Sequence, residues 1–171
     1  MIIHLIRHAE AIERTPDIAE DHRYLTRKGR NRFRKVAVAL RKSGAEPDLI
    51  FSSPLIRAVQ TAEILSQALK FKKELVITPL LAHGFTRRQL DELLEQYPKA
   101  KEIALVGHEP ELGEVTAELL ATGQPCSLDK GATVSLKLRQ GSQTADFRLL
   151  MDGTASVITS QGKALKKLLN G

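Results

Sequence analysis

The sequence has no tryptophan, a single cysteine and few aromatic residues of any kind, 4%. Its cations are not interleaved with aromatic rings, so it lacks the stacking platform that single-stranded nucleic-acid binders use. Nucleic acid is therefore not an expected partner. A lone Cys126 excludes an intrachain disulfide and a four-cysteine zinc site. It suits a reducing compartment and reads as a small near-surface residue with no reactive role. No run approaches the roughly 20 apolar residues that a membrane-spanning helix needs. The apolar N-terminus, Met1-Ile2-Ile3-His4-Leu5-Ile6-Arg7, is too short and too soon interrupted for a secretory signal. The expectation is a soluble cytoplasmic protein with no membrane partner. Neither a His-Glu-x-x-His pattern nor an aspartate cluster of the magnesium-holding kind is present, so no metal and no cofactor are expected.

What is present is an aliphatic chain of 171 residues with a net charge of +6. That length fits one domain, residues 1–171, with a core large enough to need no covalent staples. Much of the positive excess lies in Arg23, Arg27, Lys28, Arg30, Arg32, Arg34 and Lys35. This stretch is either a solvated helix face or an electrostatic attractor for an acidic substrate or partner.

Apolar runs alternate with amphipathic stretches, the pattern of an α/β domain with a mostly parallel sheet. Strands are predicted at Ile2–Ile6, Leu49–Ser52, Leu75–Thr78 and Glu102–Val106. Thr26 caps a helix over Arg27–Ser43, which presents Phe33, Val36, Ala37 and Leu40 on one face and closes at Gly44. Ser53-Pro54 reads as cap and first residue of a helix to about Leu69. Thr86 with Gln89 reads as a capping box for a helix to about Gln96. Pro110 opens another helix that ends before Gly123. Ala132–Leu138 and Thr144–Leu150 suit an antiparallel pair across the Gln140–Gln143 turn, and Lys163–Leu169 a short basic helix.

Three polar clusters fall at predicted strand ends: Arg7-His8-Ala9-Glu10, Ser52-Ser53-Pro54-Leu55-Ile56-Arg57 and Gly107-His108-Glu109-Pro110. Ligands of open α/β sheets bind outside the carboxyl ends of the strands, so these clusters can converge. Two arginines supply forked donors that match phosphate oxygens. Two histidines supply a nucleophile and a donor or proton carrier. Arg57, in the first turn of its helix, adds unpaired amides and a positive dipole.

Arg7-His8-Ala9-Glu10, Ser52 through Ala62, and Val106-Gly107-His108 together resemble the signatures of the histidine phosphatase superfamily, and most closely its small SixA-type phosphohistidine phosphatases. Arg23-Tyr24-Leu25-Thr26-Arg27-Lys28-Gly29 resembles the family's link into its first helix. The resemblance implies a phosphoglycerate-mutase-like, three-layer α/β/α sandwich with minimal insertions. It also implies that His8 attacks phosphorus, that Arg7 and Arg57 bind equatorial oxygens, and that His108 faces His8 and stabilises developing charge. Arg23 either reaches the phosphate or is a surface residue.

Two positions depart from the pattern. Ala9 stands where many relatives have glycine, and no acid follows the third strand, where the chain reads Pro79-Leu80-Leu81-Ala82-His83-Gly84-Phe85. His83 could replace the missing proton donor. Glu10 could act from the first loop, or be orienting or simply solvated. A missing acid penalises cleavage of phosphohistidine least, because imidazole leaves as a neutral base whose conjugate acid has a pKa of about 6.5. The expected substrate is a phosphohistidine-containing protein, of which a histidine-phosphotransfer domain is one form. A small-molecule phosphomonoesterase or mutase and a non-catalytic phosphate-binding module are the alternatives.

Overall fold

A computed structural model describes residues 1–139 and 141–170. Its centre is a seven-stranded sheet in the order β3-β2-β4-β1-β5-β6-β7. The strands are β1 (Ile2–Arg7), β2 (Leu49–Ser52), β3 (Val76–Ile77), β4 (Glu102–Gly107), β5 (Thr133–Leu138), β6 (Ala145–Met151) and β7 (Val157–Ile158). The pairings β1–β4, β2–β4 and β2–β3 are parallel. Those of β1–β5, β5–β6 and β6–β7 are antiparallel.

Helices cover both faces, as strands buried on both sides require. α1 (Arg27–Lys42) and α2 (Ile56–Leu69) pack on the face carrying Ile6, Ile50, Ala104 and Val106. α3 (Arg87–Glu95), α4 (Glu111–Leu120) and α5 (Gln161–Leu168) pack on the face carrying Ile3, Leu5, Phe51, Ile103 and Leu105. The result is the three-layer α/β/α sandwich expected from the sequence.

Most elements follow from local chemistry. Thr26 Oγ1 accepts the Gly29 amide at 2.9 Å and starts α1. The buried residues Gly29, Phe33, Val36, Ala37 and Leu40 then recur at helical spacing along one face. Gly29 is required by close approach: a Cβ there would collide with the backbone carbonyl of Glu10. That contact lays the start of α1 against the segment that follows β1. The Thr86–Gln89 capping box forms in full at the start of α3.

Three local expectations change. α2 begins at Ile56, not at Pro54, and has no side-chain cap. The Ser53 amide still bonds the Val106 carbonyl at 3.0 Å, so the chain stays with the sheet for one residue beyond β2. Cys126 is buried, not near the surface, and burial pushes its thiol pKa up, away from reactivity. β7 was not anticipated, since two residues are too short to show alternation. Gln140, in the anticipated turn between β5 and β6, lies outside the described residues. Among the described residues no helix is long and apolar enough to cross a membrane.

Candidate active site

Because β4 lies between β1 and β2, the chain leaves these three strands side by side. Arg7 pairs with Gly107, and Ser52 with Val106. The His8 amide continues the ladder to the Gly107 carbonyl at 3.0 Å. His8, Ser53 and His108 are thereby gathered at one edge, and Arg57 reaches the same place from the first turn of α2. All four are buried.

The protonation of His8 is fixed by its neighbours. Its Nδ1 lies 2.7 Å from the Ala9 carbonyl oxygen, which can only accept, so Nδ1 carries the proton. Nε2 keeps its lone pair and receives a hydrogen bond from Arg57 Nε at 3.2 Å. Burial drives the His8 pKa down to about 3, the charges of Arg57, Arg7 and Arg23 adding to it and the Ala9 carbonyl opposing it. The Ala9 amide donates to Thr61 Oγ1 at 3.1 Å, and Thr61 Oγ1 donates to the Arg57 carbonyl at 2.6 Å. The loop that carries His8 is thus tied to α2.

His108 stands across from His8, with ring centroids 5.2 Å apart. Its Nε2 shares a 2.8 Å hydrogen bond with Ser53 Oγ, while its Nδ1 is buried without a partner among the described residues. Burial first, and then the charges of His8, Arg57, His83 and Arg7, lowers its pKa to about 2. Both imidazoles are neutral at neutral pH. Arg7 donates through Nη1 to the Leu128 carbonyl at 2.6 Å and keeps a buried Nε without a partner among the described residues. Arg7 also borders a cleft of about 370 Å³ lined by Ala9, Glu10, Arg32, Phe33 and Lys130.

Arg57 is fully engaged. Beyond His8, its Nη1 donates to the Glu20 carbonyl at 2.7 Å and its Nη2 lies 3.1 Å from Glu20 Oε1. Arg23 Nη1 donates to the same Oε1 at 2.9 Å, and Arg14 Nε to Oε2 at 2.8 Å. Arg23 also holds the Ile12 carbonyl through Nε and Nη2. Arg23 therefore joins the cluster through Glu20 and is not a free surface residue. Burial opposes ionisation of Glu20, but hydrogen bonds and charge from Arg23, with Arg57 and Arg14, hold its pKa below the ordinary value. The Glu20 carboxylate competes for donors that an oxyanion would use. Glu20→Gln keeps the carbonyl anchor and removes the charge. It should tighten inhibition by inorganic phosphate about 2- to 5-fold, the scale of a partly exposed ion pair. Weaker phosphate inhibition would show that Glu20 preorganises the arginines instead.

Of the weaker candidates, Glu10 turns toward α1, where it faces Lys28 at 3.7 Å and Arg32 at 3.5 Å. His83 lies beside His108, with ring centroids 5.1 Å apart and planes tilted by 38°. The sequence signals no role for Glu20, Glu109 or Glu111. Burial raises the Glu109 pKa to about 7, against the opposing charge of Arg7 and backbone hydrogen bonds from Leu128 and Gly113. Glu109 lies in the Gly107-His108-Glu109-Pro110 cluster and Glu111 directly after it, so position was their only available signal.

Known proteins share this chain's sequence pattern and its fold. An uncharacterized protein of Picosynechococcus sp. is 40% identical over 143 residues, 80% of this chain and 85% of that one. The protein histidine phosphatase SixA, solved with tungstate, superposes with a TM-score of 0.80 at 23% identity, covering 90% of this chain and 97% of that one. The alpha-ribazole phosphatase of Shigella flexneri superposes at 0.70 with 17% identity, covering 92% and 100%. Residues 3–121 match the family profile of the histidine phosphatase superfamily (branch 1). With that match spanning all three strand-end clusters, the chain belongs to the histidine phosphatase superfamily.

Proposed function

We propose that the protein is a metal-independent phosphatase that works through a phosphohistidine at His8 and acts on phosphohistidine in a protein. The observation that carries the chemistry is the fixed tautomer of His8. Its Nδ1 proton is held by the Ala9 carbonyl, and the Nε2 lone pair faces Arg57 inside a buried cluster of donors. In this reading Nε2 attacks phosphorus, and Arg57 Nε moves from the lone pair to an equatorial oxygen. Arg7 and Arg57 supply planar donors to the phosphoryl group, and His108 adds a third contact as charge develops. Water then hydrolyses the phosphohistidine. The arginines provide the electrostatic stabilisation that a metal supplies in other phosphatases.

The substrate class is supported by two features. The connection from β3 to α3 is short and carries no carboxylate of its own, which leaves the edge of the site open. Arg27, Lys28, Arg32, Arg34 and Lys35 form an exposed cationic face on α1, suited to steering an acidic protein. A metabolite phosphatase is the second reading, favoured by the placement of His83 beside His108, where a proton donor would help an alkoxide to leave.

A substrate panel separates these readings. With chelator present, kcat/KM for a phosphohistidine protein should exceed that for sugar phosphates. It should also fall more steeply with salt than kcat/KM for an aryl phosphate. Higher kcat/KM for a sugar phosphate would move the assignment to a metabolite phosphatase, and loss of activity in chelator would overturn metal independence.

A further inference from the structure

We propose that His83 is the proton donor to the leaving group and that Glu111 positions it. The inference rests on the His8 chemistry above but not on the substrate class. His83 follows a short 3-10 turn (Pro79–Leu81) after β3, and Glu111 is the first residue of α4. They meet beside His108. The His83 ring centroid lies 5.1 Å from that of His108, and His83 Nδ1 lies 3.5 Å from Glu111 Oε1.

The carboxylate is held from two directions. Glu111 Oε1 accepts the Gly84 amide at 2.9 Å, and the residue stands at a helix N-terminus, where the dipole favours a negative charge. Its other oxygen, Oε2, is buried with no hydrogen-bond partner among the described residues. An unsatisfied buried carboxylate oxygen is costly, and the carboxylate's other oxygen, Oε1, is the one that faces His83 Nδ1. With Nδ1 turned toward Glu111, His83 Nε2 has no hydrogen-bond partner among the described residues. The side chain is half exposed, at 54%.

Most other ionisable groups near the proposed phosphoryl site are occupied. His108 is kept neutral by burial, and its Nε2 is bonded to Ser53. Glu20 is paired with three arginines, and Glu10 faces Lys28 and Arg32. Glu109 is half-buried and faces the charge of Arg7, with its Oε1 left without a hydrogen-bond partner among the described residues. Imidazole is the side chain that exchanges a proton most readily at neutral pH.

The step balances. The His8 Nε2 lone pair forms the N–P bond, the P–X pair departs with X, and the proton of the His83 imidazolium goes to X. In the second half-reaction neutral His83 takes a proton from water as its oxygen bonds phosphorus. The N–P pair returns to His8, and inorganic phosphate leaves.

The test uses aryl and alkyl phosphates of graded leaving-group pKa with the unmodified protein, His83→Ala and Glu111→Gln. Phosphorylation of His8 is trapped in parallel. For poor leaving groups His83→Ala should lose on the order of 10²-fold in kcat/KM. With 4-nitrophenyl phosphate, whose leaving group needs no proton, it should stay within a few-fold and still form phospho-His8. Glu111→Gln should shift in the same direction by less. A uniform loss across the series, or no loss, would overturn the inference while leaving His8 as nucleophile. Absence of phospho-His8 in the unmodified protein would overturn both.

Discussion

His8→Ala should abolish turnover while leaving the fold intact. Loss of a covalent nucleophile costs on the order of 10⁴–10⁶ in kcat where the remaining groups cannot supply another. Here the second imidazole cannot stand in, because His108 Nε2 is engaged with Ser53 Oγ at 2.8 Å. In the unmodified protein, labelled substrate quenched without acid should leave phosphate on His8 in an alkali-stable, acid-labile linkage. The pH dependence follows from the same geometry. kcat/KM reports groups of the free enzyme, and burial holds free His8 near a pKa of about 3. The nucleophile is therefore unprotonated from neutral pH down to about 3. Once the substrate's own second ionisation near pH 6 is allowed for, kcat/KM should show no acid limb from His8 near 6.5. Near-normal turnover by His8→Ala would remove the nucleophile assignment. An inflection near 6.5 beyond the substrate's own ionisation would mean that burial does not hold His8 neutral.

The architecture and the four central residues were legible because each is announced by short-range chemistry. Apolar runs marked the parallel strands, Thr26 and the Thr86–Gln89 box marked two helix starts, and polar clusters marked the strand ends that a parallel sheet brings together. The supporting charges were not legible, because they depend on long-range closure. Arg57 meets the Glu20 carbonyl across 37 positions, and Gly84 meets Glu111 across 27. Neither pairing leaves a periodic or motif-like trace. Ser53-Pro54 misled for a different reason. Its cap-like composition serves the site, where Ser53 Oγ bonds His108, and the helix waits until Ile56. The segment between β3 and α3 contains no carboxylate. Only the folded chain shows that Glu111 brings a carboxylate to that loop from α4.

Arg57→Ala should lower kcat/KM by about 10²–10³, the usual loss for one preorganised donor at a developing charge. The position of Arg57 explains why the loss should fall mainly on catalysis. Its guanidinium is 2% exposed and makes three directed contacts: Nε to the His8 lone pair, Nη1 to the Glu20 carbonyl and Nη2 to the Glu20 carboxylate. When phosphate enters, the planar fork can transfer donors from His8 and Glu20 to phosphoryl oxygens without moving the helix that carries it. Alanine removes both the donors and the group that aims Nε2. The fold should survive, because Glu20 is partly exposed and retains Arg14 and Arg23 as partners. Lysine restores the charge but not the fork, so Arg57→Lys should recover only part of the activity. The two variants also separate electrostatics from orientation. If charge alone mattered, lysine would return kcat/KM close to normal. If orientation of His8 dominates, lysine should restore phosphate inhibition more fully than kcat. A folded Arg57→Ala protein with unchanged kcat/KM and unchanged phosphate inhibition would remove Arg57 from the phosphoryl site altogether.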